Sequence, residues 1–331
     1  MGLQEYVIRR IIITFILLWA IATVNFMIFN MLPGTTINKY VAKLSAGGAT
    51  PERIEQLKHI FGLDRPLHEQ YILYILNLLQ GNWGLSFVYQ GTPVSKIIFG
   101  PKLFNTIILM GTSMFLGALI STFIGMYAGW RRGRFMDKLT IIASYMGASA
   151  PVFWVGLLIL MFLSAYLQLI PVSGTVSTEA LHADLFTRAA DYLWHMIGPL
   201  LTLVIYFIPT YLLYIRNHVV SLLGEDFLTV LVAKGLPEKT ILFKHIIRYV
   251  LVTVVTLLAV QSPLLISGAI ITETVFGWNG IGLLLYSSVL SSDYPVIQGV
   301  FILTIIVVVI FNMLADAIYA VLDPRIKAGV W

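Results

Sequence analysis

Cysteine is absent from this chain of 331 residues, which excludes disulfides and thiolate metal sites and leaves the redox compartment undefined. Charge is scarce: Asp, Glu, Lys and Arg make up 11% of the residues, against about 25% in a soluble domain. No Gly-Lys dipeptide occurs, so a phosphate-binding loop of the Walker A kind is missing and the chain is not expected to hydrolyse ATP itself. The histidines His59, His68, His182, His195 and His218 have no metal-ligand spacing, and His245 belongs to the charged segment 216–248. No metal site and no cofactor bound by the chain are expected. What remains is apolar. Hydrophobic residues are 58% of the total, so most of the chain must face lipid. The net charge of +5 does not indicate nucleic acid, because the basic residues lie in separate short connections rather than in one patch.

Six apolar stretches can cross a hydrocarbon core that takes about 20 helical residues. They run roughly Ile11–Leu32, Leu103–Trp130, Leu139–Ile170, Ile197–Ile215, Ile246–Ile271 and Val296–Leu322. The first is too long for a signal-peptide core and no small-residue cleavage site follows it, so it is read as a retained span. Basic residues orient the six. Arg9 and Arg10 precede the first, and Arg131, Arg132, Arg134 and Lys138 separate the second from the third. Arg216, Lys234, Lys239, Lys244 and Arg248 separate the fourth from the fifth, and Arg325 and Lys327 follow the sixth. The alternate short loops hold only Arg188. By the positive-inside rule both termini are cytoplasmic.

Four regions follow: 1–32, the N-terminal segment with the first span; 33–102, an extracytoplasmic cap; 103–322, a five-helix core; and 323–331, a cytoplasmic tail. In the cap, Thr50-Pro51-Glu52 reads as a helix start, Ile54, Leu57 and Phe61 follow at helical spacing, and Gly62 ends the helix. A second helix is expected from about Leu67 to Leu79, with Tyr71, Tyr74 or Ile75, and Leu78 on one face, stopped by Gly81. In the second span Ser113, Gly117, Ser121, Gly125 and Gly129 form a stripe of small residues. It is read as a packing seam inside the bundle, the alternative being a wall of the path. Pro151, Pro199 and Pro209, and Gln261-Ser262-Pro263 are expected to interrupt the third, fourth and fifth spans. Such breaks are tolerated where they are buried in protein or line a cavity, so a path-lining role and a simple kink both stand open for them.

The loop between the fourth and fifth spans, 216–248, carries more apolar side chains than a connection needs: Phe227, Leu228, Val230, Leu231, Ile241, Leu242 and Phe243. Exposed apolar surface on a structured polar loop marks a docking site. A helix leaving the fourth span should run through Glu225 and Asp226 to Lys234. Gly235 suits the left-handed position after a helix end, and Pro237-Glu238 should open a second short helix. The product is a helix–turn–helix elbow whose arms join two membrane-crossing helices.

Gly224-Glu225-Asp226-Phe227, Ala233-Lys234-Gly235-Leu236 and Leu242-Phe243-Lys244-His245 resemble the coupling loop of permeases in binding-protein-dependent ABC importers. The dipeptide/oligopeptide/nickel branch is the most similar. The resemblance covers almost the whole chain. It includes Leu32-Pro33-Gly34, Phe61-Gly62-Leu63-Asp64-Arg65-Pro66, Gly81-Asn82-Trp83-Gly84-Leu85-Ser86, Ala150-Pro151-Val152-Phe153-Trp154, the run Glu273 to Gly282, Asp293-Tyr294-Pro295 and Leu322-Asp323-Pro324-Arg325. It implies an all-α integral membrane protein of six transmembrane helices, with a type I (MetI-like) importer core and the extracytoplasmic helical cap between the first and second spans. It also implies a second, homologous permease as heterodimer partner, two ATP-binding subunits that hold ATP and Mg, and an extracytoplasmic solute-binding protein. The plasma (inner) membrane is the implied location. The substrate class would be di- or oligopeptides, with oligosaccharides or nickel as alternatives. Glu225, Asp226, Phe227, Leu231, Ala233, Lys234, Gly235, Leu236, Phe243 and His245 would form the ATPase-coupling loop. The chain departs from the family pattern where Thr229-Val230-Leu231-Val232 replaces an Arg-Thr-Ala-Arg run, and where Asn82 replaces an acid. Its loop is the more apolar for it.

Candidates for an external gate or the path are Pro151, Gln261, Pro263, Glu273 and Trp278. For Glu273 two roles stand open: a carboxylate solvated at the headgroup level, or a residue that binds ligand or seals a gate. Asn25, Asn30, Asn105 and Asn312 are read as interhelical hydrogen-bonding groups. Asp316 is read as hydrogen-bonded within the bundle or to the basic cytoplasmic rim. An ion-coupled secondary transporter would show paired ionisable groups at the midplane and inverted repeats, and an intramembrane enzyme a nucleophile–base or metal constellation. The sequence displays none of these.

Overall fold

The computed structural model describes residues 3–30, 52, 65–89, 91–261 and 270–322. Helices dominate, and among the described residues the β component is one isolated bridge between Leu85 and Pro93. The elements are α1 (Leu3–Asn30), α2 (Leu67–Leu79), α3 (Val94–Ile98), α4 (Pro101–Trp130), α5 (Phe135–Ser149), α6 (Val152–Ile159, continued as a π-helix over Leu160–Tyr166), α7 (Leu185–Leu222), α8 (Asp226–Ala233), α9 (Glu238–Val260), α10 (Ile270–Val275), α11 (Ile281–Ser291) and α12 (Tyr294–Leu322). Within the described residues, four helices are long and apolar enough to cross a membrane: α4, α7, α9 and the Tyr294–Leu314 part of α12. The α5–α6 pair makes a fifth if its two arms count as one span.

The chain divides into two compact units. The first holds Met1–Phe104 and Leu284–Val309. In it α1 packs on α2: the Phe26 ring lies 5.2 Å from Tyr71 and 5.5 Å from Tyr74. Asn25 donates to the Tyr74 hydroxyl and to the Gln298 carbonyl, both at 3.3 Å, so this asparagine joins helices as expected. The bounds of α2 are those expected from its apolar spacing and from Gly81, which has φ +76°. The expected helix over Thr50–Gly62 lies outside the described residues except for Glu52, which is helical. A loop then closes on the start of α12: buried Asp293 accepts from the Phe87 N–H at 3.0 Å, from the Val88 N–H at 3.2 Å and from the Ser86 hydroxyl.

The second unit holds Asn105–Leu283 and Ile310–Trp331. Its seam is the small-residue stripe. A Cβ on Gly117 would stand 2.9 Å from Cβ of Phe207, one on Gly125 3.0 Å from Cγ2 of Ile215, and one on Gly129 2.8 Å from the Arg216 carbonyl. Ser113 and Ser121 of the stripe are also buried, and Ser121 donates to the Ile208 carbonyl at 3.1 Å. The stripe faces α7 of the same chain. That is the packing reading, since dispersion across a close backbone approach is what holds helices together in lipid.

Three expectations are corrected. The stretch Leu139–Ile170 is not one straight crossing: α5 and α6 meet at 94°. Ala150 is extended (ψ 125°), as a residue before proline prefers, and Pro151 has no N–H to continue the ladder. Pro199 and Pro209, by contrast, interrupt nothing. Both lie inside the continuous 38-residue α7. Gly147 of α5 makes room for the Pro209 ring, since a Cβ there would stand 2.6 Å from Cγ of Pro209. Finally, α7 begins twelve residues before the expected Ile197. Asp184 caps it, accepting from the backbone of Phe186 (3.0 Å) and Thr187 (3.3 Å) and from the Thr187 hydroxyl (2.6 Å). Those bonds hold the exposed Asp184 carboxyl below the usual range, the Thr187 hydroxyl contributing most.

Candidate functional site

The elbow begins where α7 stops. Leu222 is its last helical residue, and a turn over Leu223–Glu225 precedes α8, so the expected continuous helix through Glu225 is two helices. Glu225 is extended (ψ 138°) at the N-cap of α8, and Asp226 supplies an acid to its first turn, where the helix dipole favours negative charge. After α8 the Gly235 N–H donates to the Val232 carbonyl at 2.9 Å, and the Leu236 N–H to the Leu231 carbonyl at 3.4 Å. With Gly235 at φ +72° this pair of bonds is a Schellman ending. A Cβ on Gly235 would meet nothing within 4 Å, so the demand for glycine is purely conformational.

Pro237 is extended (ψ 143°) and caps the next helix rather than occupying its first turn. What it opens is also not a separate short helix. α9 runs unbroken from Glu238 to Val260, with a π-helical stretch over Ile241–Ile246. The second arm of the elbow is therefore the membrane-crossing helix itself. Its first eight residues were expected as a separate short helix rather than as part of the span, because Lys239, Lys244 and Arg248 dilute the apolar pattern.

The apolar residues of the loop divide into two sets. Leu228, Ile241 and Leu242 are buried, and the Phe227 ring lies 5.3 Å from Tyr249 of α9. These hold the elbow to its own subunit. Val230, Val232 and Phe243 are 51%, 57% and 55% exposed, while Leu231, Leu236 and His245 are half-buried. Ala233 and Lys234 are exposed. The Phe243 ring lies 6.3 Å from Phe123 of α4, apart in sequence from the open pair Val230 and Val232. Val232 was missing from the sequence-derived set, and period-3.6 counting could not have found it, because it lies one turn after buried Leu228 and so nominally on the same face.

Two ion pairs brace this region, and neither was legible in the sequence. Arg131, just after α4, reaches Glu238 at 3.0 Å. Arg216 of α7 grips Asp137 of α5 through Nε (2.7 Å) and a terminal nitrogen (2.8 Å), while the Gly133 N–H donates to the same carboxylate at 2.8 Å.

The second cluster lies at the turn after α10. Glu273 has no exposed surface, which overturns the reading of it as a solvated carboxylate. Its carboxylate accepts from the Thr106 hydroxyl at 2.6 Å and from the Leu283 N–H at 3.0 Å. Thr106 in turn accepts from the Ile281 N–H at 2.8 Å. Trp278 is equally buried. Its N–H donates to the Glu273 carbonyl at 2.8 Å and its indole to the Asn105 carbonyl at 3.2 Å, with Tyr192 stacked at a tilt 5.1 Å away. Asn105 donates to the Asn279 carbonyl at 2.8 Å. The structure thus brings Glu273 and Trp278 together. Pro151 lies exposed at the α5–α6 bend, Gln261 is the half-buried C-cap of α9, and Pro263 lies outside the described residues.

Residues 121–328 match the family model described as binding-protein-dependent transport system inner membrane component, and residues 3–95 match the model of the N-terminal part of such membrane components. The chain belongs to this family of permeases. The permease is 33% identical to an oligopeptide transport system permease protein of Bacillus subtilis, over 98% of this chain and the whole of that protein. It is 31% identical to a dipeptide transport system permease protein of Escherichia coli K12, over 98% of each chain. A dipeptide transport system permease protein of Lactococcus lactis is 30% identical over 98% of this permease and 99% of its own length. These matches make the permease a multi-pass component of the inner membrane and a transport protein rather than an enzyme.

Proposed function

We propose that this permease forms half of the translocation pathway of an ATP-driven importer of di- and oligopeptides. The peptide assignment is supported by full-length relatives named as dipeptide and oligopeptide permeases. The observation that carries the mechanism is the elbow. A Schellman-closed glycine joins α8 to α9, and Val230 and Val232 stand open on α8. A partner that engages α8 pulls directly on a 23-residue helix long and apolar enough to span the bilayer.

In this reading α1 is the sixth span, the 33–102 region is an extracytoplasmic cap, and both termini face the cytoplasm. A second, homologous permease supplies the other half of the path, and two ATP-binding subunits hold ATP and Mg at the elbows. An extracytoplasmic binding protein delivers the peptide. ATP-driven closure of the two ATPases brings the elbows together and turns the paired bundles outward; hydrolysis returns them inward. Peptide shifts this cycle only by its differential affinity for the two states. The apolar Thr229-Val230-Leu231-Val232 run makes the ATPase contact one of side-chain burial rather than of arginine pairing.

Reconstitution of the permease with its partner subunits and binding protein in proteoliposomes tests this. Peptide uptake that requires internal or external ATP on the ATPase side supports it, and uptake on an ion gradient alone overturns it. Titrating the binding protein with peptides, oligosaccharides and nickel chelates tests the substrate class, and a preference for either of the latter two overturns the peptide assignment.

A further inference from the structure

We infer that Glu273 is a positioning residue that never touches the transported molecule and instead fixes the Phe276–Gly280 turn rigidly to α4. The proposal rests on the transport reading above. Three features of the second unit carry it.

The first is the donor set. Thr106 sits between the Glu273 carboxylate, to which its hydroxyl donates, and the Ile281 N–H, from which it accepts. The Leu283 N–H completes the arrangement by donating to the other carboxylate oxygen. The first amides of α11, which have no partner inside that helix, are thereby satisfied from α4 and α10. The second is space. A Cβ on Gly280 would collide with both Glu273 carboxylate oxygens and with the Thr106 hydroxyl, so the turn has closed over the carboxylate and leaves no room for a ligand.

The third is what the turn holds in place. A Cβ on Gly198 of α7 would stand 2.6 Å from the Phe276 ring, and one on Gly156 of α6 would stand 3.4 Å from it. Trp278 is bonded to Asn105 of α4 and stacked on Tyr192 of α7. One short turn therefore keys α4, α6, α7 and α10 to one another. Released from Thr106, the turn would keep only its two Asn105 bonds to α4 and would loosen against that helix. Held, these elements shift as one body when the elbow moves, so motion at one end of the bundle arrives undiminished at the other.

The chain has no cysteine, so Thr272→Cys, at a buried position of α10 beside Glu273, gives a single labelling site for a membrane-impermeant maleimide. In the assembled importer, labelling should be slow in the parent background. It should accelerate about tenfold with Glu273→Gln, whose amide nitrogen would face an N–H or hydroxyl donor. Thr106→Val, which loses both of its bonds, should do the same, and Thr106→Ser, which keeps them, should leave the rate unchanged. Peptide uptake should fall with Glu273→Gln and Thr106→Val while ATP hydrolysis continues without stimulation by the binding protein. Should Glu273→Gln fail to assemble, the Thr106 pair carries the same comparison. Unchanged labelling, uptake and stimulation per assembled complex in the variants would overturn the proposal, even with a lower Tm, since the carboxylate would then serve folding alone. Labelling is read without transport, so loss of the peptide reading in the parent importer would be distinguished from loss of this one.

Discussion

Arg216 on α7 and Asp137 on α5 form a two-pronged ion pair, with nitrogen–oxygen distances of 2.7 and 2.8 Å and side chains 14% and 3% exposed. The Gly133 N–H donates to the same carboxylate, so a single side chain ties the α4–α5 turn to the end of the helix that leads into the elbow. A planar guanidinium fits a carboxylate in this fashion and a lysine does not.

Asp137→Asn should therefore be costly, because it strands a nearly enclosed guanidinium. Breaking such a pair costs about 3 kcal/mol or more when it is buried, and the partial exposure of Arg216 puts this one at the lower end. A lower Tm of the detergent-solubilised permease is expected, with little dependence on salt, since enclosed pairs are weakly screened. Arg216→Lys should fall between parent and Asp137→Asn. Equal melting of all three would show that the pair contributes nothing.

Gly235 separates conformational from steric demand. With φ +72° and open space around it, Gly235→Val should strain the backbone by roughly 1–2 kcal/mol and misdirect α9. Gly235→Asn should be tolerated, since asparagine takes the left-handed region more readily. The expected readout is uptake together with binding-protein-stimulated ATP hydrolysis, both lost in the valine variant and largely kept in the asparagine variant. Parental uptake by Gly235→Val would remove the elbow from the coupling mechanism.

The seam gives a graded series on one helix. Gly129→Ala meets the Arg216 carbonyl and Val219 at 2.8 Å and Gly117→Ala meets Phe207 at 2.9 Å, whereas a Cβ on Gly111 meets nothing within 4 Å. Gly111→Ala should be neutral or stabilising by about 0.5–1 kcal/mol through helix propensity. The other two should lower the Tm, and Gly117→Leu or Gly125→Leu should prevent assembly. Identical melting of the alanine variants at Gly111 and Gly129 would contradict the packing of α4 on α7.

Docking is best probed at the open valines. Val230→Asp and Val232→Asp should weaken co-purification of the ATPases while membrane insertion stays normal. Leu228→Asp, in contrast, buries a carboxylate and should damage the elbow itself. Leu231→Asp, at a half-buried position, should show both effects, and Phe243→Asp should also disturb the contact with Phe123. Undiminished ATPase capture by the two valine variants would place the docking surface elsewhere.

What the sequence determined by itself is the local chemistry that no neighbour can override. Long apolar runs require helices in lipid, because every backbone polar group must be satisfied within the segment. Gly235 between an apolar helix and a proline requires a left-handed stop, and the spacing from Leu67 to Leu79 gives that helix its bounds. Small residues every fourth position require a close partner. Which partner was not written there, and the tertiary structure decided it by placing Phe207, Ile215 and Val219 opposite the gaps. It likewise separated prolines that look alike in sequence. Pro151 follows an extended Ala150 and bends the chain by 94°, whereas Pro209 fits over Gly147 and leaves α7 whole. It reassigned Glu273 from solvent to the interior, because its partners, Thr106 and the amide of Leu283, come from a helix 167 residues earlier and from beyond a turn. A carboxylate's role depends on the dielectric and the donors around it, and both are properties of the packed molecule rather than of any window of residues.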